Sequence, residues 1–154
     1  LLEDSAIDAR TSERLPRATL VTPNLPEAGK LLGQAEALGT DEVQAQARAI
    51  LQLGPQAVLM KGGHAEGETC TDWLFAGDQP RAFTAPRIAT TNTHGTGCSY
   101  SSAIAAQLAA GAPLAQAVET AHGWLHQAIE MADALQVGSG HGPVHHFHQM
   151  WPDG

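Results

Sequence analysis

The sequence predicts an α/β fold, with a mainly parallel sheet flanked by helices. Two short apolar runs, 18–22 and 57–60, read as buried strands, and a helically spaced segment separates them. That alternation favours parallel pairing with crossovers on the sheet faces. Downstream, the turn His94-Gly95-Thr96-Gly97-Cys98-Ser99 leads into a helical run rich in small residues.

Each element has its own local reason. Residues 18–22 are apolar and β-branched and stop at Pro23, and 24–33 then reads as a short helix. Thr40, after Gly39 and before Asp41 and Glu42, suits a helix N-cap with acidic residues in the first turn. Val43, Ala47, Ile50 and Leu51 keep helical spacing until Gly54-Pro55. The strand 57–60 is stopped by Lys61-Gly62-Gly63. Segments 72–76 and 81–88 flank Gly77-Asp78-Gln79-Pro80 and predict a hairpin at the sheet edge. A helix is expected over 99–110, its alanines suiting close packing against the sheet, with Gly111 ending it. Pro113 fits the first turn of the next helix. Leu114, Val118, Ala121, Leu125, Ala128, Ala132 and Leu135 form that helix's apolar face, and Gly138-Ser139-Gly140 closes it. A histidine-rich tail completes the chain.

At 154 residues the length suits one domain, 1–154, with a real core. Charged residues make up only 16% against 43% hydrophobic, which excludes a disordered, strongly solvated chain. Eight Lys plus Arg against sixteen Asp plus Glu give a net charge of −8. That balance argues against nucleic acid or a membrane surface as partner. No run of eighteen apolar residues predicts a membrane span, and no signal peptide is evident. Two cysteines are too few for a disulfide framework, so a reducing, cytoplasmic setting is the expectation.

Four features can carry chemistry. In the turn Gly95-Thr96-Gly97-Cys98, glycines permit close backbone approach, and the following helix aims unpaired N–H groups and its positive dipole end at the turn. Such a geometry collects phosphate oxygens, and its field favours a cysteine thiolate. An ordinary strand-to-helix turn with a structural cysteine fits the same string. It is not a Walker loop, because the Gly-Lys-Ser/Thr ending is absent. Asn24-Leu25-Pro26-Glu27 is close to a capping box, while Glu27 also suits a hydrated Mg²⁺; both can hold at once. Lys61-Gly62-Gly63-His64 follows a buried strand, where open α/β sheets bind ligands, although a solvated lysine at a turn fits too. His141, His145, His146 and His148 form the fourth feature, with no cysteine or carboxylate among them to complete a metal site.

The strings LVTPNLPEA, VLMKGGH, DWLF, THGTGCS and GHGPVHHFH occur in this order over nearly the whole chain. Together they resemble the C-terminal part of the hydroxymethylpyrimidine/phosphomethylpyrimidine kinases, thiamine-pathway enzymes of the ribokinase-like superfamily. The cysteine of Gly-x-Gly-Cys is specific, since most ribokinase-like sugar kinases carry aspartate there. The resemblance implies a ribokinase-like sheet. It also implies ATP-dependent phosphorylation of hydroxymethylpyrimidine and then of its monophosphate, with ATP and Mg²⁺ as cofactors. It further implies an anion hole at Gly95, Thr96 and Gly97 and a catalytic base at Cys98. Asn24 and Glu27 would help position Mg²⁺ and phosphates, and Lys61, Gly62 and Gly63 would approach ATP. No role passes to Asp72 or to the tail histidines.

Members of that family are longer, and their N-terminal half supplies the first strands and most of the pyrimidine pocket. The expectation is therefore a chain carrying the ATP and anion-hole half, with little turnover alone. Its first strand would present an unpaired edge prone to association, including homo-oligomerisation. A pyridoxal-type kinase, a non-catalytic nucleotide-binding fragment and a thiol hydrolase using Cys98 with a histidine such as His94 are the alternatives.

Overall fold

The computed structural model describes residues 14–63, 67–135 and 137–151. His64 of the lysine-bearing turn lies outside them. The chain divides into two compact units, Leu1–Pro86 and Arg87–Gly154.

The first unit is a small sheet covered by two helices. After a 3₁₀ turn at Leu15–Arg17 come helix α1 (Leu25–Leu32), helix α2 (Thr40–Leu51) and strands β1 (Val58–Met60), β2 (Thr69–Phe75) and β3 (Arg81–Pro86). The segment expected as a strand over 18–22 runs parallel to β1 through isolated bridges, Val21 to Val58 and Asn24 to Lys61. The Val21 amide donates to Ala57 O at 3.1 Å, and the Leu59 amide donates to Val21 O at 2.8 Å. These bridges carry the parallel pairing. The named strands pair antiparallel in the order β1-β2-β3, with Val58 opposite Phe75 and Asp72 opposite Phe83. The hairpin is longer than expected at its start, beginning at Thr69, because the ladder continues to Pro86 opposite it. The core joins Val58, Met60 and Phe75 of the sheet to Leu25 and Ala28 of α1 and to Val43, Ala47 and Ile50 of α2. Burying the Val, Leu, Ile, Met and Phe side chains among these contributes about 1.5–3 kcal/mol each.

One cap differs from expectation. Gly39 is the N-cap of α2 and Thr40 is its first helical residue, with no side-chain cap. Instead the Glu42 carboxylate reaches back to accept the Leu38 amide at 2.7 Å. The acidic first turn therefore satisfies a backbone donor, and the threonine hydroxyl does not.

The second unit is a helical pair with the tail folded onto it. Helix α3 (Thr96–Ala109) packs against helix α4 (Leu114–Glu130). Tyr100 and Ile104 of α3 are buried, as are Val118, Ala121 and Leu125 of α4. Helix α3 starts three residues earlier than the glycines suggest, and this places Thr96, Gly97 and Cys98 in its first turn, with Gly95 as N-cap. Helix α4 ends at Glu130, and Ala132–Ala134 continue as a 3₁₀ turn, so Ala132 leaves the α-helical face yet stays buried. The tail is tied down by backbone bonds. The His94 amide donates to Gly142 O at 3.0 Å, and the His145 amide donates to Ala128 O at 2.8 Å. Val144 and His145 are fully buried. Among the described residues no helix is long and apolar enough to cross a membrane.

Candidate functional site

Each unit carries one group of the residues singled out from sequence. In the second unit, Gly95 is the N-cap of α3 with φ +83°, a left-handed conformation that glycine adopts without strain. No side chain caps this helix. Both donors of Thr96 go to Thr93 O, the hydroxyl at 2.6 Å and the amide at 3.3 Å. Among the described residues, the amides of Gly95, Gly97 and Cys98 donate to no protein acceptor. These are the orphan donors of a helix start, backed by the positive end of a fourteen-residue helix. The thiol of Cys98, the third helical residue, is exposed. Beside it a cleft of about 770 Å³ runs along α3 and α4, lined by Cys98, Ser99, Trp124, Gln127 and His146 among others.

His146 is the residue that sequence alone did not place. Its Nε2 lies 2.7 Å from Ser99 Oγ, in the first turns of α3. The Trp124 ring stands 6.2 Å from His146 and 6.0 Å from His148, centroid to centroid. His148 Nδ1 lies 3.0 Å from His145 O, and its Nε2 lies 3.2 Å from Gln127 Oε1. Of the tail histidines, His141, His146 and His148 thus hydrogen-bond through their rings, while His145 is buried with neither ring nitrogen bonded among the described residues. No group of three or more His, Cys, Asp or Glu side chains that could hold a metal forms among the described residues.

In the first unit, Asn24, Glu27 and Lys61 come together. Asn24 Oδ1 accepts the Glu27 amide at 2.7 Å, and Glu27 Oε2 accepts the Asn24 amide at 2.8 Å, a complete capping box. The bridge between Asn24 and Lys61 sets the lysine beside this helix start, with Nζ 4.0 Å from Glu27 Oε2. Side chains of Lys61 and Glu27 are 18% and 60% exposed, so the carboxylate remains open to solvent and ligands. Gly62 is packed so tightly that an added Cβ would sit 2.1 Å from Thr71 O. Its amide donates to the buried Asp72 carboxylate at 2.8 Å. Gly63 has open space at its Cα.

A family model described as phosphomethylpyrimidine kinase matches residues 1–145. The hydroxymethylpyrimidine/phosphomethylpyrimidine kinase of Rhizobium meliloti is 51% identical over 153 residues, covering 99% of this chain and 58% of the relative. Among solved structures, the ADP complex of Bacillus subtilis pyridoxal kinase aligns with a TM-score of 0.89 at 32% identity, over 96% of this chain and 57% of that one. The phosphomethylpyrimidine kinase of Clostridium difficile aligns with a TM-score of 0.69 at 33% identity, over 84% and 51%. The chain thus spans little more than half the length of each.

Proposed function

This chain belongs to the phosphomethylpyrimidine kinase family, and from that premise we propose that it provides the ATP-binding and phosphoryl-transfer groups of a kinase acting on hydroxymethylpyrimidine and its monophosphate. The observation that carries the reading is the uncapped start of α3, with three unpartnered amides around an exposed thiol. Phosphoryl transfer needs little covalent work from a protein. Positioning and charge stabilisation dominate, and backbone N–H groups supply both at fixed cost. The amides of Gly95, Gly97 and Cys98 would hold the transferring phosphoryl oxygens. Cys98 Sγ would take the proton from the attacking hydroxymethyl group.

The first unit supplies charge of both signs. Lys61 would offer an ammonium to nucleotide phosphates. Glu27, whose carboxylate lies 4.0 Å from Lys61 Nζ, would suit a hydrated Mg²⁺, since this ion takes few protein ligands. Such an ion neutralises charge on the phosphates when bound. The Asn24 backbone amide holds the Glu27 carboxylate through the capping box. The substrate class in this reading is supported by the 51% identity to a hydroxymethylpyrimidine/phosphomethylpyrimidine kinase. We place the reaction in the cytoplasm, where nucleotide and free thiols coexist.

Titration calorimetry of the chain with ATP and Mg²⁺ tests the reading. Saturable binding that tripolyphosphate displaces and adenosine does not is expected, and no binding at millimolar ATP removes it. A chimera in which this chain replaces the matching part of the Rhizobium relative then tests substrate class. It is expected to phosphorylate hydroxymethylpyrimidine in preference to pyridoxine, and the reverse preference would move the chain to the pyridoxal-type reading.

A further inference from the structure

We infer that Asp72 is a positioning residue for the nucleotide-binding turn, acting through Gly62 on Lys61; the inference rests on the function proposed above. Register explains why a carboxylate is needed there. Strand β1 pairs Met60 with Trp73, so continuing the ladder would set Lys61 opposite Asp72 and Gly62 opposite Thr71. The ladder ends at Met60. Beyond it, Gly62 gives its amide to the Asp72 side chain at 2.8 Å. The Asp72 carboxylate thus replaces a backbone carbonyl and turns the chain out of the sheet.

Three further observations show how tightly this exit is set. Asp72 is only 5% exposed, and an ionised group that deep is costly unless hydrogen-bonded. A bond from N–H to carboxylate is roughly twice as strong as a neutral one. Gly62 has no room for a side chain, since Thr71 O would lie 2.1 Å from its Cβ. On the other side, the Lys61 amide donates to Pro23 O at 2.9 Å. Lys61 is therefore gripped from both flanks, by the segment leading into α1 and by the Asp72–Gly62 bond. From this exit its ammonium lies 4.0 Å from the Glu27 carboxylate. Asp72 sets where the charge of Lys61 is delivered, and so how strongly a polyphosphate is held.

A double-mutant cycle on the whole chain, read by ATP calorimetry beside thermal melting, tests this. Asp72→Leu is expected to weaken ATP binding at least tenfold. Asp72→Asn, which keeps an acceptor oxygen, is expected to weaken it about threefold, and Gly62→Ala to match the leucine variant. In a Lys61→Ala background neither Asp72 change should cause further loss, which a merely structural role would not produce. Should Asp72→Leu fail to fold, Asp72→Asn carries the same cycle. Unchanged affinity in the Asp72 variants, or equal losses with and without Lys61, overturns the inference and leaves the kinase reading standing. A wild-type chain that binds no ATP overturns both.

Discussion

Two helix starts in this molecule are built from opposite rules. Helix α1 begins with Asn24 and Glu27 exchanging hydrogen bonds, so the amides of both residues are met by side chains. Helix α3 begins with a left-handed glycine and no side-chain cap, and its orphan amides stay available. A capped terminus stabilises the fold; an open one gives up that stability and keeps its field for an anion. The contrast is one of backbone donors: those at the start of α1 are met by side chains, and those at the start of α3 are not.

The largest expected effect falls at the open terminus. In the chimera with the Rhizobium relative, Cys98→Ala should slow phosphorylation of the hydroxymethyl group by ~10²–10⁴-fold, the usual worth of a positioned base. The second transfer starts from a phosphate oxygen that is already anionic, so its rate should fall less than about tenfold. Timing the two steps separately checks this, and equal losses would deny Cys98 a proton-transfer role. Gly95→Ala comes next. Its φ of +83° forces an L side chain into the left-handed region, at a cost of about 1–2 kcal/mol. Both melting temperature and tripolyphosphate affinity should drop, because the turn that aims the amides is the turn being strained.

At the capped terminus the expected effect is smaller and of another kind. Asn24→Ala removes the acceptor for the Glu27 amide and should destabilise the chain by about 1 kcal/mol in urea unfolding. Tripolyphosphate affinity should change less than in Gly95→Ala. A larger change in affinity than in stability would show that Asn24 contacts phosphate directly, which would blur the contrast between the two helix starts.

The sequence reveals most where the determinants are local. The capping box is visible because Asn24 and Glu27 are three residues apart, and the glycine turn because φ-permissive residues cluster ahead of small ones. The start of α3 is read late for the same reason: glycines signal a turn, yet Gly97 lies within the first helical turn. What stays hidden depends on register or distance. Asp72 reads as part of an apolar hairpin strand until pairing sets it opposite Phe83 and beside Gly62. His146 meets Ser99 from 47 residues away, a pairing no spacing rule announces.

That pair supplies the smallest expected effect. The Ser99–His146 bond is exposed, and such bonds contribute about 0.5–1.5 kcal/mol net. The tail does not depend on it. Val144 is fully buried, the His145 amide bonds Ala128 O, and the segment around Pro143 pairs with His94. Ser99→Ala and His146→Gln should therefore each cost about 1 kcal/mol or less, with the tail still docked. Urea unfolding of both single variants and the double isolates their coupling. A coupling energy well above 1.5 kcal/mol would make the side-chain pair, and not the backbone bridges, the anchor of the tail on α3.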